Sequence, residues 1–553
     1  MIPPDPIRPT AEIPNNSSSS STKNVEALAK RTRRRVWLRL IPWLFFLYIL
    51  AYLDRVNLSV AGLKMQHPPQ EGGLGFDTDV IGLGFGLFFW GYWLLEIPST
   101  VSVNRWGARW VFVRILVLWG LCAAAVGTIG TPFADWLFGW IPHIPEASGW
   151  LGQATGFINQ LSDSPKHQFY FLRFMLGFFE GGFFPSVIFY LSLWFRTEDR
   201  AKAIAAFMAA IPFSNLLGVP LSGLLLEVNW LGLTGWRWVF ILQGIVPVLA
   251  GFATIFVLPD RPATVTWLPD DERAWLLGEL EREHHGKKVH NHWIWVLHLG
   301  TVLLLTLVYF GQNLASYGLV SFLPSIIKSI LNLKTEDTHS LIGMKMSTDQ
   351  LATYLSGFVY FMGLLGMLVN GWHSDRTRER PWHAAVPLAL WGVGIALTAM
   401  LDGQGIWPMV MLVFGVGTFM FAHLPAFWPI PTMFLGAVAA ASAIGFINML
   451  GNLGGFVGPK LIGDRAKGQL SAEVTCQTIG LLASGEGQGP LIATANLMPR
   501  KFEPPRFAPI LWLLAPWPII SAAVILIAGY TRRRGPPTPP YKPAKCAPLV
   551  PGV

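Results

Sequence analysis

Cysteine is nearly missing from this chain of 553 residues, which has Cys122 in an apolar run, Cys476 in a polar stretch and Cys546 near the C-terminus. That scatter provides neither a disulfide framework nor the spacing of a thiolate metal site. Charge is scarce as well, with Asp, Glu, Lys and Arg making up 13% of the residues. Soluble globular domains carry roughly twice that share, so a water-facing surface is excluded for most of the chain. The surplus of nine positive charges is dispersed between hydrophobic segments. No basic domain collects it, which excludes nucleic-acid binding. His284, His285, His290 and His292 share one hydrophilic loop without Cys partners, so neither a metal nor any other cofactor is expected. The N-terminus is polar and rich in Pro and Ser, unlike a cleaved signal peptide.

What is present is hydrophobicity, at 52% of residues, gathered into runs of membrane-crossing length. About 20 residues at helical rise cover a hydrocarbon layer of roughly 30 Å. Six runs make a first half, near Val36–Gly62, Val80–Val103, Trp110–Gly130, Phe169–Phe195, Ala201–Leu226 and Trp238–Leu258. Six more follow a polar loop over 259–292, near Trp293–Ile330, Leu351–Trp372, Ala384–Leu401, Ile406–Phe427, Met433–Val457 and Ile510–Tyr530. The fold expected is an all-α membrane protein of about twelve transmembrane helices in two six-helix, pseudo-symmetric halves, 36–258 and 293–531. A disordered basic tail, 1–35, precedes them and a second tail, 532–553, follows. Pro269 and the acids Asp270, Asp271 and Glu272 predict a short helix along the membrane surface within the central loop. Twenty-five tryptophans suit a protein with two membrane interfaces.

Clusters such as Arg31–Arg35, Arg105 with Arg109, and Arg376–Arg380 fall on one predicted side. Positive loops stay in the cytoplasm, so both termini are expected there, in a plasma membrane. The halves also echo each other: Gly86 precedes Asn104-Arg105 by the interval at which Gly357 precedes Asp375-Arg376. Duplicated halves that enclose a site near the bilayer midplane are a transporter's architecture.

Ionisable residues inside the apolar runs carry the functional signal: Asp54, Arg55, Glu96, Arg173 and Glu180. Each costs about 2.5–3.5 kcal/mol at mid-helix, so Asp54, Arg55, Arg173 and Glu180 left alone would together cost on the order of 10 kcal/mol. They must pair or line a wet cavity. Arg173 and Glu180 are two turns apart on one face, and Tyr48, Tyr52 and Arg55 form a stripe on the first helix. One reading makes Arg55 and Arg173 an anion site and Asp54 and Glu180 proton carriers. The other makes Asp54–Arg173 and Arg55–Glu180 buried salt bridges that fix helix register. Glu96, beside Pro98, fits packing or gating. In the second half Gln312, Asn313, Tyr317, His423, Asn448 and Asn452 offer hydrogen bonds either to a substrate or to neighbouring helices.

These residues also resemble a family. Tyr52-Leu-Asp54-Arg55-Val-Asn57, the run from Arg173 through Glu180 to Pro185, Pro259-Asp260-Arg261-Pro262, Ser374-Asp375-Arg376-Thr377 and the glycine-rich run from Asn448 to Pro459 are together similar to the anion:cation symporters of the major facilitator superfamily. The resemblance is to bacterial tartrate, galactonate and phthalate carriers and fungal allantoate permeases. It implies import of a carboxylated metabolite driven by protons, with sodium coupling in related branches. It further implies protonation at Asp54 and Glu180, a substrate carboxylate on Arg55, and Arg173 as partner of the first-helix acid. Tyr52, Gln312, Asn313, Asn448 and Asn452 complete the expected substrate site. Arg105, Arg109, Asp375 and Arg376 are the expected gating residues, although Asn104 stands where the superfamily motif often has Asp. The expected partners are a small organic anion and the bilayer, and a monomer suffices. Two other functions stay open: efflux, encouraged by Gly218-Val-Pro220-Leu-Ser-Gly223, and a non-transporting nutrient sensor.

Overall fold

Hydrocarbon offers no partner to a backbone N–H or C=O, so an apolar run that crosses it must satisfy those groups within a helix. The computed structural model describes residues 17–140, 150–285, 300–333, 338–341, 344–433, 437–467 and 507–533. Its first half contains α1 (Ser17–Met65), α2 (Thr78–Trp106), α3 (Ala108–Val126), α4 (Pro165–Trp194), α5 (Glu198–Leu225) and α6 (Gly235–Val257). The second contains α7 (Gly300–Ile330), α8 (Thr348–Thr377), α9 (Arg380–Met400) and α10 (Trp407–Phe427), then α11 (Ala437–Gly451) and α12 (Ala508–Ile527). Among the described residues eleven of these are long and apolar enough to cross a membrane. The other, α11, continues after a short turn as a helix over 454–467, which completes the twelve expected.

Two expectations need correction. The chain is helical from Ser17, so the tail expected to lack structure through residue 35 is in part an extension of α1. Its arginines are held by acids distant in sequence, Arg31 by Asp271 and Glu272, and Arg35 by Glu272. These lie on the expected surface helix, which spans Asp270–His285. The second correction is a hairpin of Thr338–Leu341 against Met344–Ser347 between α7 and α8, which the apolar pattern did not announce. Two connections that are long in the sequence, 131–167 and 464–505, lie partly outside the described residues, at 141–149 and 468–505, as do His290 and His292. The described part of the first forms helices Pro132–Phe138 and Trp150–Asp163, with Trp136 and Trp140 exposed.

Small residues let the helices approach closely. A Cβ on Gly177 would lie 1.9 Å from the Phe88 carbonyl oxygen, which seats α4 against α2. Gly181 and Gly182 break α4 in mid-course, and Gly182 takes φ +84°, a left-handed conformation open to glycine. Glu180 therefore ends the first segment of α4, at the break. The sequence echo is echoed in space. A Cβ on Gly86 of α2 would meet Phe456 of the second half at 2.7 Å, and one on Gly357 of α8 would meet Pro220 of α5 at 2.6 Å. Each glycine thus serves the contact between its own half and the other.

Candidate functional site

The stripe on α1 delivers its side chains to the seam between the halves. Arg55, 6% exposed, donates from Nε (2.9 Å) and Nη2 (2.6 Å) to Oε1 of fully buried Glu180. Its Nη1 reaches across the seam to the Tyr317 hydroxyl of α7 at 3.3 Å. The guanidinium also lies over the rings of Tyr52 (4.7 Å), Tyr92 (5.0 Å) and Phe88 (5.4 Å), whose negative faces favour a desolvated cation.

The other expected pair is absent. Asp54 is fully buried and accepts hydrogen bonds from Trp119 Nε1 and, at 2.9 Å, from Asn57 Nδ2. Neutral donors thus replace the expected cation. Arg173, also fully buried, makes no ion pair among the described residues. It donates from Nε to the Gly84 carbonyl at 3.2 Å and lies over Phe85 and Phe88. Of the two salt bridges expected, only Arg55–Glu180 is present.

A cavity lies where the halves meet. Tyr52, Arg55 and Tyr92 wall it from the first half, and Gln312, Asn313, Asn448 and Asn452 are among its walls from the second. The amides form one hydrogen-bonded set. Gln312 Nε2 donates to Asn313 Oδ1, and Asn313 Nδ2 donates to Asn452 Oδ1 at 3.2 Å. His423 Nε2 lies 3.1 Å from Gln312 Oε1. Asn448 Nδ2 donates across the seam to Glu96 Oε1, so Glu96 joins the halves as well as packing between them. Arg173, expected to touch substrate, is not among the walls. The cavity has about 40 Å³ of free volume, room for water but far below the roughly 300–1,000 Å³ of a small-molecule pocket. To admit an organic ligand the halves must separate.

The expected gating residues stay within their own halves. Arg109 donates its backbone N–H to Asp260 Oδ1 at 2.8 Å, tying the turn after α2 to the end of α6. Asp375 pairs with Arg380 at 2.6 Å, Arg376 lies over the Trp372 ring, and Arg105 is exposed. The ion pairs that do cross the seam lie on the face opposite the N-terminus, and the sequence reading missed them. Asp349, 1% exposed, is held by Lys328 of its own half at 2.7 Å and by Lys64 of the first half at 3.2 Å. Lys467 reaches Asp77 and Asp79 at 3.2 and 3.1 Å. A signal for Lys328 was present, since it lies inside the seventh apolar run, where the cost of a lone charge already demands a partner.

Twelve helices in two halves around a buried polar cavity, latched shut on one face, define a multi-pass membrane transporter. The chain belongs to the Major Facilitator Superfamily, whose family model matches residues 44–459. It is 35% identical over 444 residues to an Agrobacterium vitis protein provisionally named a tartrate transporter, covering 80% of this chain and 86% of that one. It is 33% identical over 433 residues to a quinolone resistance transporter of Acinetobacter baumannii, covering 78% and 87%. Among solved structures, a bacterial homologue of the human lysosomal transporter Spinster, inward-facing and unoccupied, aligns with a TM-score of 0.61 at 16% identity, covering 92% of this chain and 99% of that one.

Proposed function

We propose that this transporter imports a small organic anion, a carboxylate or sugar acid, by proton symport and alternating access. The observation that carries the reading is Arg55, placed in the cavity wall while its charge is balanced by Glu180. An incoming carboxylate is a second negative charge for one guanidinium in a poorly hydrated site, and such an excess is costly. A proton on Glu180 removes the excess and frees Nε and Nη2 for the substrate. Asp54, buried beside neutral donors, is the second proton carrier. Tyr317 and the amides of α7 and α11 then read the rest of the substrate from the other half.

Release follows when the halves rock apart on the N-terminal face and the Lys64–Asp349–Lys328 cluster closes the other. The basic clusters favour a cytoplasmic N-terminal face, and in a plasma membrane with an inward proton gradient symport then runs inward. Two protons with a monoanion carry one positive charge inward, worth about 2.3 kcal/mol per 100 mV, or roughly 50-fold accumulation. One proton per monoanion is electroneutral. The similarity to the provisional tartrate carrier supports a carboxylate cargo.

The test is uptake of labelled organic acids by proteoliposomes under an inward proton gradient. Accumulation of one acid, abolished by an uncoupler and by Arg55→Ala, is expected. The comparable similarity to a quinolone resistance transporter favours efflux as the second reading, and drug movement down the opposite gradient without acid uptake would establish it. Gly218 and Gly223, the sequence signal for efflux, have a packing explanation here: a Cβ on either would strike Leu53 or Thr353 at 2.1 or 2.0 Å. Binding without crossing would identify a sensor.

A further inference from the structure

Beyond the apolar run, α1 continues as a cationic rod. Lys30, Arg31, Arg34, Arg35 and Arg39 line one groove on the N-terminal face, with Trp267 opposite, and the groove has about 760 Å³ of free volume. At about 100° per residue the five fan over half of the helix circumference, with Lys30 and Arg39 at its two edges and Arg31, Arg34 and Arg35 between, and Lys30 to Arg39 covers roughly 14 Å at helical rise. Two of them are already compensated. Arg31 lies 2.7 Å from Asp271 and 2.6 Å from Glu272, and Arg35 lies 3.2 Å from Glu272. Arg33, on another side of the helix, pairs with Asp199 at 3.7 Å. Lys30, Arg34 and Arg39 are exposed and make no ion pair among the described residues. The acids therefore fix the base of the groove while three cations project from it unbalanced.

We propose that this groove binds the headgroup of an anionic phospholipid, with phosphatidylglycerol as the chemical type. Charge complementarity alone would also accept a soluble phosphate ester. The apolar continuation of the same face favours the lipid. Leu38 is 59% and Phe46 38% exposed, with exposed Pro42 between them, and they follow the cations directly along the helix. A headgroup phosphate on Arg34, with Lys30 and Arg39 flanking it along the groove, places its acyl chains along Leu38, Pro42 and Phe46, at the depth where α1 enters hydrocarbon. Trp267 sits at the same boundary, where amphipathic rings gather. Basic clusters beside a spanning helix are drawn to anionic leaflets by an increment per charge. The site is independent of the transported substrate.

The test is native mass spectrometry of the full-length protein in detergent, titrated separately with phosphatidylglycerol, with phosphatidylcholine of the same chains, and with glycerophosphoglycerol, the headgroup without chains. The wild type is expected to prefer phosphatidylglycerol over phosphatidylcholine by about tenfold, with no measurable binding of the free headgroup. The variant Lys30→Gln/Arg34→Gln/Arg39→Gln should bring that preference close to unity. The variant Arg34→Lys/Arg39→Lys, which keeps the charge, and Arg261→Gln/Arg282→Gln, which removes two exposed charges elsewhere, should both retain it. An unchanged preference in the triple variant, or an equal loss in the Arg261/Arg282 variant, overturns the site. Binding of the free headgroup as tight as the lipid's overturns the lipid as its occupant. Thermal melting of each variant shows whether a loss of lipid reflects a loss of fold.

Discussion

Arg55 and Glu180 lie 125 positions apart in the chain and meet at 2.6 Å, the guanidinium approaching side-on. Nε and Nη2 of the arginine converge on Oε1, and among the described residues nothing hydrogen-bonds Oε2. The remaining nitrogen, Nη1, belongs to the seam through Tyr317. One side chain thus joins the proposed proton carrier, the cavity wall and the opposite half.

Arg55→Ala leaves Glu180 buried without its cation, a change that costs about 3–5 kcal/mol in comparable sites. A lower melting temperature in detergent and no acid uptake are expected. The double variant Arg55→Leu/Glu180→Leu removes both charges, and should recover most of the stability without recovering uptake. Recovery of both would make the pair purely structural.

Glu180→Gln keeps a hydrogen-bonding side chain but cannot exchange a proton. Counterflow, in which labelled and unlabelled acid exchange without net proton movement, should persist within a few-fold of wild type while gradient-driven accumulation disappears. Accumulation that survives a proton gradient and not its collapse would assign coupling to Asp54 alone.

Asp349→Asn removes the acceptor that Lys64 and Lys328 share across the seam. Spin labels at the exposed positions Glu71 and Lys345, one in each half on the latched face, should report a population at longer distance than in the wild type. An unchanged distance distribution would show that the Lys467 contacts and apolar packing suffice to hold that face closed.

Gly177→Ala places a methyl group 1.9 Å from the Phe88 carbonyl oxygen. Backbone must move, and overpacking of this kind costs about 1–3 kcal/mol or more. A clear fall in melting temperature is expected, and a neutral result would mean that α2 and α4 pack less tightly than described.

Much of this architecture was legible in the sequence because transfer into hydrocarbon is a local cost, paid or relieved residue by residue. Run length gave the spans, and the price of charge marked Asp54, Arg55, Glu96, Arg173 and Glu180 as buried groups in want of company. The family motifs added what the resemblance implied, including the superfamily that the comparisons bear out. Composition also placed the acids of the surface helix at Asp270–Glu272, although not the arginines that reach them from α1.

Choice of partner was decided only by the tertiary structure, because it depends on distance and direction between groups far apart in the chain. On spacing alone, Asp54–Arg173 and Arg55–Glu180 were equally good pairs. The packed helices gave Asp54 to Trp119 and Asn57, turned Arg173 to the Gly84 carbonyl and two rings, and left only Arg55–Glu180 as an ion pair. Likewise Lys64 and Asp349 are unremarkable in sequence, and join Lys328 in one cluster only when the two halves close on each other. Hydrophobicity fixes which segments enter the membrane, whereas electrostatic pairing falls off within a few ångströms and is settled by the fold that brings the segments together.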